Sequence, residues 1–113
     1  MIKVIIKNKD DLISGVKING HSGYEKHGKD IVCAAISSIS QTAVMGIIQV
    51  LKIDLQYNID EKTAYLEFDL PKNLNYEKLE KANIILKTMK IGILNIAQSY
   101  PKNIKVEEEN EIN

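Results

Sequence analysis

Residues 20–37, GHSGYEKHGKDIVCAAIS, hold the chain's only cysteine and both of its histidines, interspersed with Gly20, Gly23 and Gly28. A cysteine and a histidine in one short stretch can make a nucleophile and its base. A thiol attacks as thiolate, and an unperturbed cysteine titrates at about 8.5. Two things would lower that value for Cys33: the unpaired amides and positive dipole end of a helix N-terminus, and a nearby imidazolium. The spacing predicts a helix opening at Asp30, a good N-cap because its carboxylate accepts first-turn amide hydrogens. Cys33 then falls at the third helical position. His21 follows an apparent strand, and a strand end feeding a glycine-rich loop can bring it to the helix start although it lies twelve positions before Cys33. The pair must approach to roughly 2.6–3.2 Å in the reacting geometry.

Plainer readings stand beside this one. Lone cysteines are among the most buried residue types and are usually inert filler, and Cys33 lies next to the apolar position Val32. A lone histidine at a strand end is more often a polar surface residue. His27 reads as a solvent-exposed loop residue. Ser37, one turn beyond Cys33, shares its face. It can hydrogen-bond the sulfur or the histidine, or bond back to its own helix carbonyl. Ser38 and Ser40 extend a patch of small side chains with room for a substrate or a second helix. Tyr24 can stack on a substrate aromatic or simply face solvent. His21, His27, Asp30 and Cys33 match no common zinc spacing. Gly20-x-x-Gly23 lacks the lysine and hydroxyl of a phosphate loop. Nothing in the residues calls for a metal or a cofactor.

The elements that must hold these groups read as follows. Ile2, Val4 and Ile6 alternate with lysines over 2–7, a half-buried strand. NKDD (8–11) is turn material, and Leu12, Val16 and Ile18 share one face of a second strand over 12–19. After a loop over 20–30, taken as mobile, Val32, Ile36, Ile39, Ala43, Ile47 and Val50 recur at helical spacing. Ile53 to Ile59 and Ala64 to Leu70 alternate as a hairpin ended by Pro71. Asn75 can cap a second helix with Leu74 and Leu79 as its staple, and Pro101 ends it. Ile84, Ile91 and Leu94 add a second apolar stripe to that helix, meaning either core on one side and a partner subunit on the other, or a helix sunk deep in its own core. Residues 104–106 form a short last strand, and the acidic tail 107–113 frays. The order ββαββαβ implies an α+β fold, a mostly antiparallel sheet with both helices packed on it.

With 113 residues the chain makes one domain, 1–113, with one core. Hydrophobic residues are 44% and charged residues 27%, the balance of a soluble globular protein. Fifteen Lys plus Arg against fifteen Asp plus Glu leave no basic surplus, which argues against a dedicated nucleic-acid binder. No unbroken apolar run reaches the roughly 18 residues of a membrane span, and the start reads as a strand rather than a signal peptide. A single cysteine forms no internal disulfide and suits a reducing compartment, so the cytoplasm is expected.

Gly20-His21 and Gly28-Lys29-Asp30-Ile31-Val32-Cys33-Ala34-Ala35-Ile36-Ser37 resemble the ribosomal-processing cysteine protease family, Prp, position by position. Length and element order fit along essentially the whole chain. Ser22 stands where many members carry alanine. The resemblance implies a homodimeric bacterial endopeptidase that removes a short N-terminal extension from a large-subunit ribosomal protein. It also implies Cys33 as nucleophile, His21 as general base, and a loop that orders over the bound peptide. Asp30 is then either a cap or the group that orients His21. Two rival classes remain. One is a non-catalytic ribosome-associated peptide-binding or assembly module. The other is a redox-sensing thiol, whose resolving cysteine must come from another molecule.

Overall fold

The computed structural model describes the backbone of residues 1–20, 27–60 and 63–111, and the side chains of the same residues except 27–30. Strand β1 (Ile2–Lys9) turns at Asp10-Asp11 into β2 (Leu12–Asn19). Both turn residues have positive φ, 53° and 66°, as a two-residue hairpin matched to strand twist requires. Helix α1 (His27–Met45) follows, then β3 (Tyr57–Asp60), β4 (Tyr65–Asp69), α2 (Tyr76–Ser99) and β5 (Ile104–Asn110). The order is the expected ββαββαβ. The sheet runs β3-β4-β2-β1-β5. Its neighbours are antiparallel except β1 and β5.

Ile2, Val4, Ile6, Val16, Ile18, Leu66 and Phe68 point from one sheet face into a single core with Val32, Ile36, Val44 and Ile47 of the first helical segment and Ala82, Leu86, Met89 and Ile93 of α2. Both helices therefore cover one face. The other face carries Lys3, Lys7, Lys17, Glu67, Asp69 and Glu107, with Lys3 paired to Glu107 at 3.4 Å and Lys7 to Asp69 at 3.1 Å. The helices are antiparallel and close. A methyl at Gly92 would stand 3.3 Å from Ile39 Cδ1, so the glycine lets α1 seat against α2.

Several elements depart from the sequence expectation. A register shift between Lys7 and Asn8 leaves Ser14 as an extra residue in β2. This bulge flips the alternation, so Ile13 is buried with Val16 and Ile18 while Leu12 is only half-buried. Strand β3 begins at Tyr57 rather than Ile53, because β4 pairs it only over 65–68. Ile53 and Leu55 are buried outside any strand. The acidic tail does not fray through Asn110: β5 pairs with β1 from Ile104 to Asn110, and the Glu111 amide donates to the Asn8 carbonyl at 2.7 Å. Lysines hold its carboxylates, Lys90 to Glu108 at 2.9 Å and Lys105 to Glu107 at 3.2 Å. The last turn of the first helical segment widens over Gly46–Val50 into a π-turn, with the Leu51 amide reaching back to the Gly46 carbonyl at 3.2 Å.

The expectation that no segment could span a membrane needs a correction. Ile31–Val50 has a mean hydropathy of 1.9 over 20 residues and qualifies by length and composition. Serines, glutamines and a threonine hide it from a search for unbroken apolar runs. Here it is a core helix, with Val32, Ile36, Val44 and Ile47 fully buried between sheet and α2.

Candidate active site

The sheet has two ends. At one lie the β1–β2 turn and the end of β5; at the other lie the end of β2 and the start of β4. Gly20 follows β2 at the second end and is buried. The β2–β4 register pairs Ile18 with Leu66, and two residues further along this diagonal Gly20 meets Ala64. The approach is close. A methyl on Gly20 would sit 2.7 Å from the Ala64 Cβ and collide with the Thr63 carbonyl oxygen. Only glycine fits there. Ala64 itself has φ 56°, a left-handed conformation that is uncommon for alanine. This seat was missed from sequence, although the strand register would have aligned the two residues.

Cys33 lies in α1, half-buried on the shoulder of the helix. Val32 and Ile36 beside it are fully buried, while Ile31 is 60% exposed. The thiol packs against the core yet borders solvent, which suits a reactive cysteine better than inert filler. Ser37, one turn on, is also half-buried. Ser40 makes the back-bond foreseen for Ser37, donating to the Ile36 carbonyl at 2.8 Å, and it is buried. That removes Ser40 from the accessible small-residue patch. Ser38 remains exposed.

The helix begins at His27, four residues before Ile31, the first helical residue expected after an Asp30 cap. Asp30 is thus the fourth helical residue and not the N-cap. The loop expected over 20–30 gives way to helix at 27. Cys33 becomes the seventh residue instead of the third, about 9 Å along the axis at 1.5 Å per residue. Two consequences follow. Within the helix the amides of residues 27–29 have no intrahelical acceptor, while those from Asp30 onward, the Cys33 amide included, are bonded within it. The dipole's effect also falls off beyond the first turn, so it reaches Cys33 more weakly than it would at the third helical position. Residues 31–50 contain no charged side chain, and the charged residues of the helix, Lys29 and Asp30, precede Cys33.

His21, Ser22 and Tyr24 lie outside the described residues, as do the side chains of His27 and Asp30. Among the described residues no three His, Cys, Asp or Glu side chains converge as a metal site needs. A shallow cleft at the far end, lined by Ile13, Lys87, Lys90, Ile91, Leu94 and Glu108 among others, is separate from the thiol. On α2, Ile84 and Ile91 are 68% and 69% exposed. The second stripe is therefore not sunk in the chain's own core.

A family model described as Cysteine protease Prp matches residues 1–105. The ribosomal processing cysteine protease Prp of Bacillus subtilis is 28% identical over 107 residues, covering 94% of this chain and 96% of that protein. The fold is similar to the crystal structure of the ribosomal processing protease Prp of Staphylococcus aureus with a substrate peptide, at a TM-score of 0.83 and 25% identity, covering 96% of this chain and all of that one. It is also similar to the same enzyme with a covalently linked product peptide, at a TM-score of 0.79 and 28% identity over the same shares. A half-buried thiol at the edge of the core, a glycine-locked strand end and a match along nearly the whole chain agree, and the chain belongs to the cysteine protease Prp family.

Proposed function

We propose that this cysteine protease removes the N-terminal extension of a bacterial large-subunit ribosomal protein, with Cys33 as nucleophile and His21 as general base. The observation that carries the reading is the place of Cys33, half-buried and bordering solvent on the uncharged stretch 31–45 of a helix whose start lies seven residues beyond Gly20. The relatives are named for ribosomal processing, and one was crystallised with a covalently linked product peptide.

His21 takes the proton from Sγ, and the sulfur bonds to the scissile carbonyl carbon as its oxygen becomes an oxyanion. Collapse of that adduct expels the amine, which His21 protonates, and leaves a thioester. Water, deprotonated by His21, attacks the thioester and frees the new carboxylate and the thiol. A helical residue's Cα–Cβ bond tilts toward the helix N-terminus, so the sulfur leans toward the first turn. The oxyanion then finds its donors among the amides of residues 27–29, which no helix carbonyl occupies, rather than in the Cys33 amide. Each such donor is worth about 10²-fold or more in rate. Ser37 lines the face one turn beyond the sulfur, and Gly20 lets the histidine-bearing strand end close on the sheet. Asp30 places an acid in the first helical turn, where the dipole favours it. Asp30→Asn is expected to leave the rate unchanged, and a loss would instead make Asp30 the orienter of His21.

A homodimer is the expected assembly, supported by the exposed Ile84 and Ile91 on α2. A reducing compartment, the cytoplasm, keeps the single thiol in working form. Direct nucleic-acid binding is not required. Lys3 and Lys7 on the open sheet face are already paired with carboxylates, and the net charge is zero.

The test is cleavage of a peptide spanning the end of the ribosomal protein's extension by wild type, Cys33→Ala and His21→Ala under reducing conditions. Cleavage by wild type alone is expected. A wild-type chain that binds the peptide and leaves it intact would make it a peptide-binding module instead.

A further inference from the structure

The seat beneath Gly20 lies outside the helix and loop that carry the motif. Its parts are the Thr63 carbonyl and the Ala64 methyl, held at the start of β4 by the pairing of Tyr65 with Asp60 and of Leu66 with Ile18 and Ile59. Ala64 is 8% exposed and keeps an unfavourable left-handed φ of 56°. Glycine would adopt that φ freely. An alanine there has a reason if its methyl is needed, and the nearest side-chain atom to the Gly20 Cβ position among the described residues is that methyl, at 2.7 Å. Backbone strain of this kind persists where surrounding contacts over-determine it. His21 is the next residue after Gly20, so whatever fixes Gly20 fixes where the backbone of His21 begins.

We propose that the Thr63–Ala64 turn is a positioning element for His21: it clamps Gly20 from the β4 side and so sets the approach of the imidazole to Cys33. The inference rests on the reading of His21 as general base. Ala64 is a positioning residue and acts through Gly20. Small misplacements of a catalytic group cost rate steeply, up to about 10²-fold for 1 Å, while the peptide's own contacts are untouched. The signature is therefore a fall in kcat at constant KM.

The experiment compares wild type, Ala64→Gly, Ala64→Ser and His21→Ala in steady-state cleavage of the extension peptide, with a thermal melt of each. Ala64→Gly relieves the φ strain and removes the methyl, so it is expected to fold with little change in Tm, keep its KM and lose about tenfold in kcat. Ala64→Ser keeps the Cβ and is expected to retain wild-type kcat. Wild-type kcat in Ala64→Gly, or an equal loss in Ala64→Ser and Ala64→Gly, overturns the proposal. If His21→Ala is inactive while Ala64→Gly is normal, the clamp alone fails. If His21→Ala cleaves like wild type, the general-base reading fails and the clamp with it.

Discussion

The side-chain amide of Asn83 holds the backbone of Ile13 from both sides: its Oδ1 accepts from the Ile13 amide at 2.6 Å and its Nδ2 donates to the Ile13 carbonyl at 3.2 Å. Asn83 is 3% exposed. The Ser14 bulge explains why a helix residue does a strand's work. β4 pairs with β2 only from Gly15 to Ile18, so Ile13 has no strand on that side to satisfy its peptide groups. A buried peptide group without a partner costs about 1–3 kcal/mol.

Replacing Asn83 by alanine should therefore lower stability by roughly 2–4 kcal/mol, since both Ile13 groups lose their partner at once. Chemical denaturation would read it as a lower midpoint with an unchanged slope. Cleavage per folded molecule should stay near wild type, because Ile13 lies at the sheet end away from Cys33. A loss of activity without a loss of stability would contradict the assignment of Asn83 to the scaffold.

The acidic strand makes a second prediction. Residues 107–110 pair in register with β1 residues 5–8, so truncation after Val106 removes about four ladder hydrogen bonds at about 1 kcal/mol each. A loss of roughly 2–4 kcal/mol is expected, seen as a lower denaturation midpoint. A merely frayed tail would leave the midpoint unchanged.

Acid should act on the same strand. The Glu108 carboxyl is held below the usual range first by the Lys90 hydrogen bond and then by Asn8. Glu107 is lowered by Lys105 and Lys3, and Glu67 by the Tyr65 hydroxyl and then Lys17 and Lys7. A lowered folded-state value means the unfolded chain binds protons first. The stabilisation is complete above the ordinary value of 4.5 and disappears as pH falls through the lowered one. Tm should be flat near neutrality and fall below about pH 4.5. Lys90→Met should be less stable than wild type at pH 7, by no more than about 1 kcal/mol for so exposed a pair. The two should converge by pH 3, and a difference that persists there would show that packing, not the ion pair, is what Lys90 contributes.

What could be read in the sequence was whatever one element states by itself. Alternation in IKVIIK gives a half-buried strand, and the Asn75 cap is present, its side chain accepting from the Lys78 amide at 2.9 Å. What escaped depends on two elements at once. The face that Ile13 takes depends on a bulge opposite Lys7. Four glutamates and an asparagine read as a solvated tail until the lysines of β1 and α2 and the open edge of β1 are beside them. Asp30 is the best cap by residue type, yet the helix begins at His27, so side-chain type alone misplaced the start and moved Cys33 by four positions. Ala64 carries no signal of its own; its place against Gly20 follows only from the β2–β4 register.

The exposed isoleucines give the last prediction. Ile84 and Ile91 are seven residues apart, two turns along α2, and stand on the same outward line. If the homodimer forms there, each is buried in the assembly, and fully burying such a side chain is worth about 1.5–3 kcal/mol. Ile84→Lys with Ile91→Lys would remove that contribution from both copies and bring four like charges together across the symmetric contact. Sedimentation velocity should then show a dimer for wild type and a monomer for the double variant. The variant's Tm should change little beyond the loss of association, because neither residue belongs to the chain's own core. A double variant that sediments as wild type would move the interface off this face, leaving the uncharged outer side of α1, with Ser38 and Thr42 exposed, as the next surface to charge.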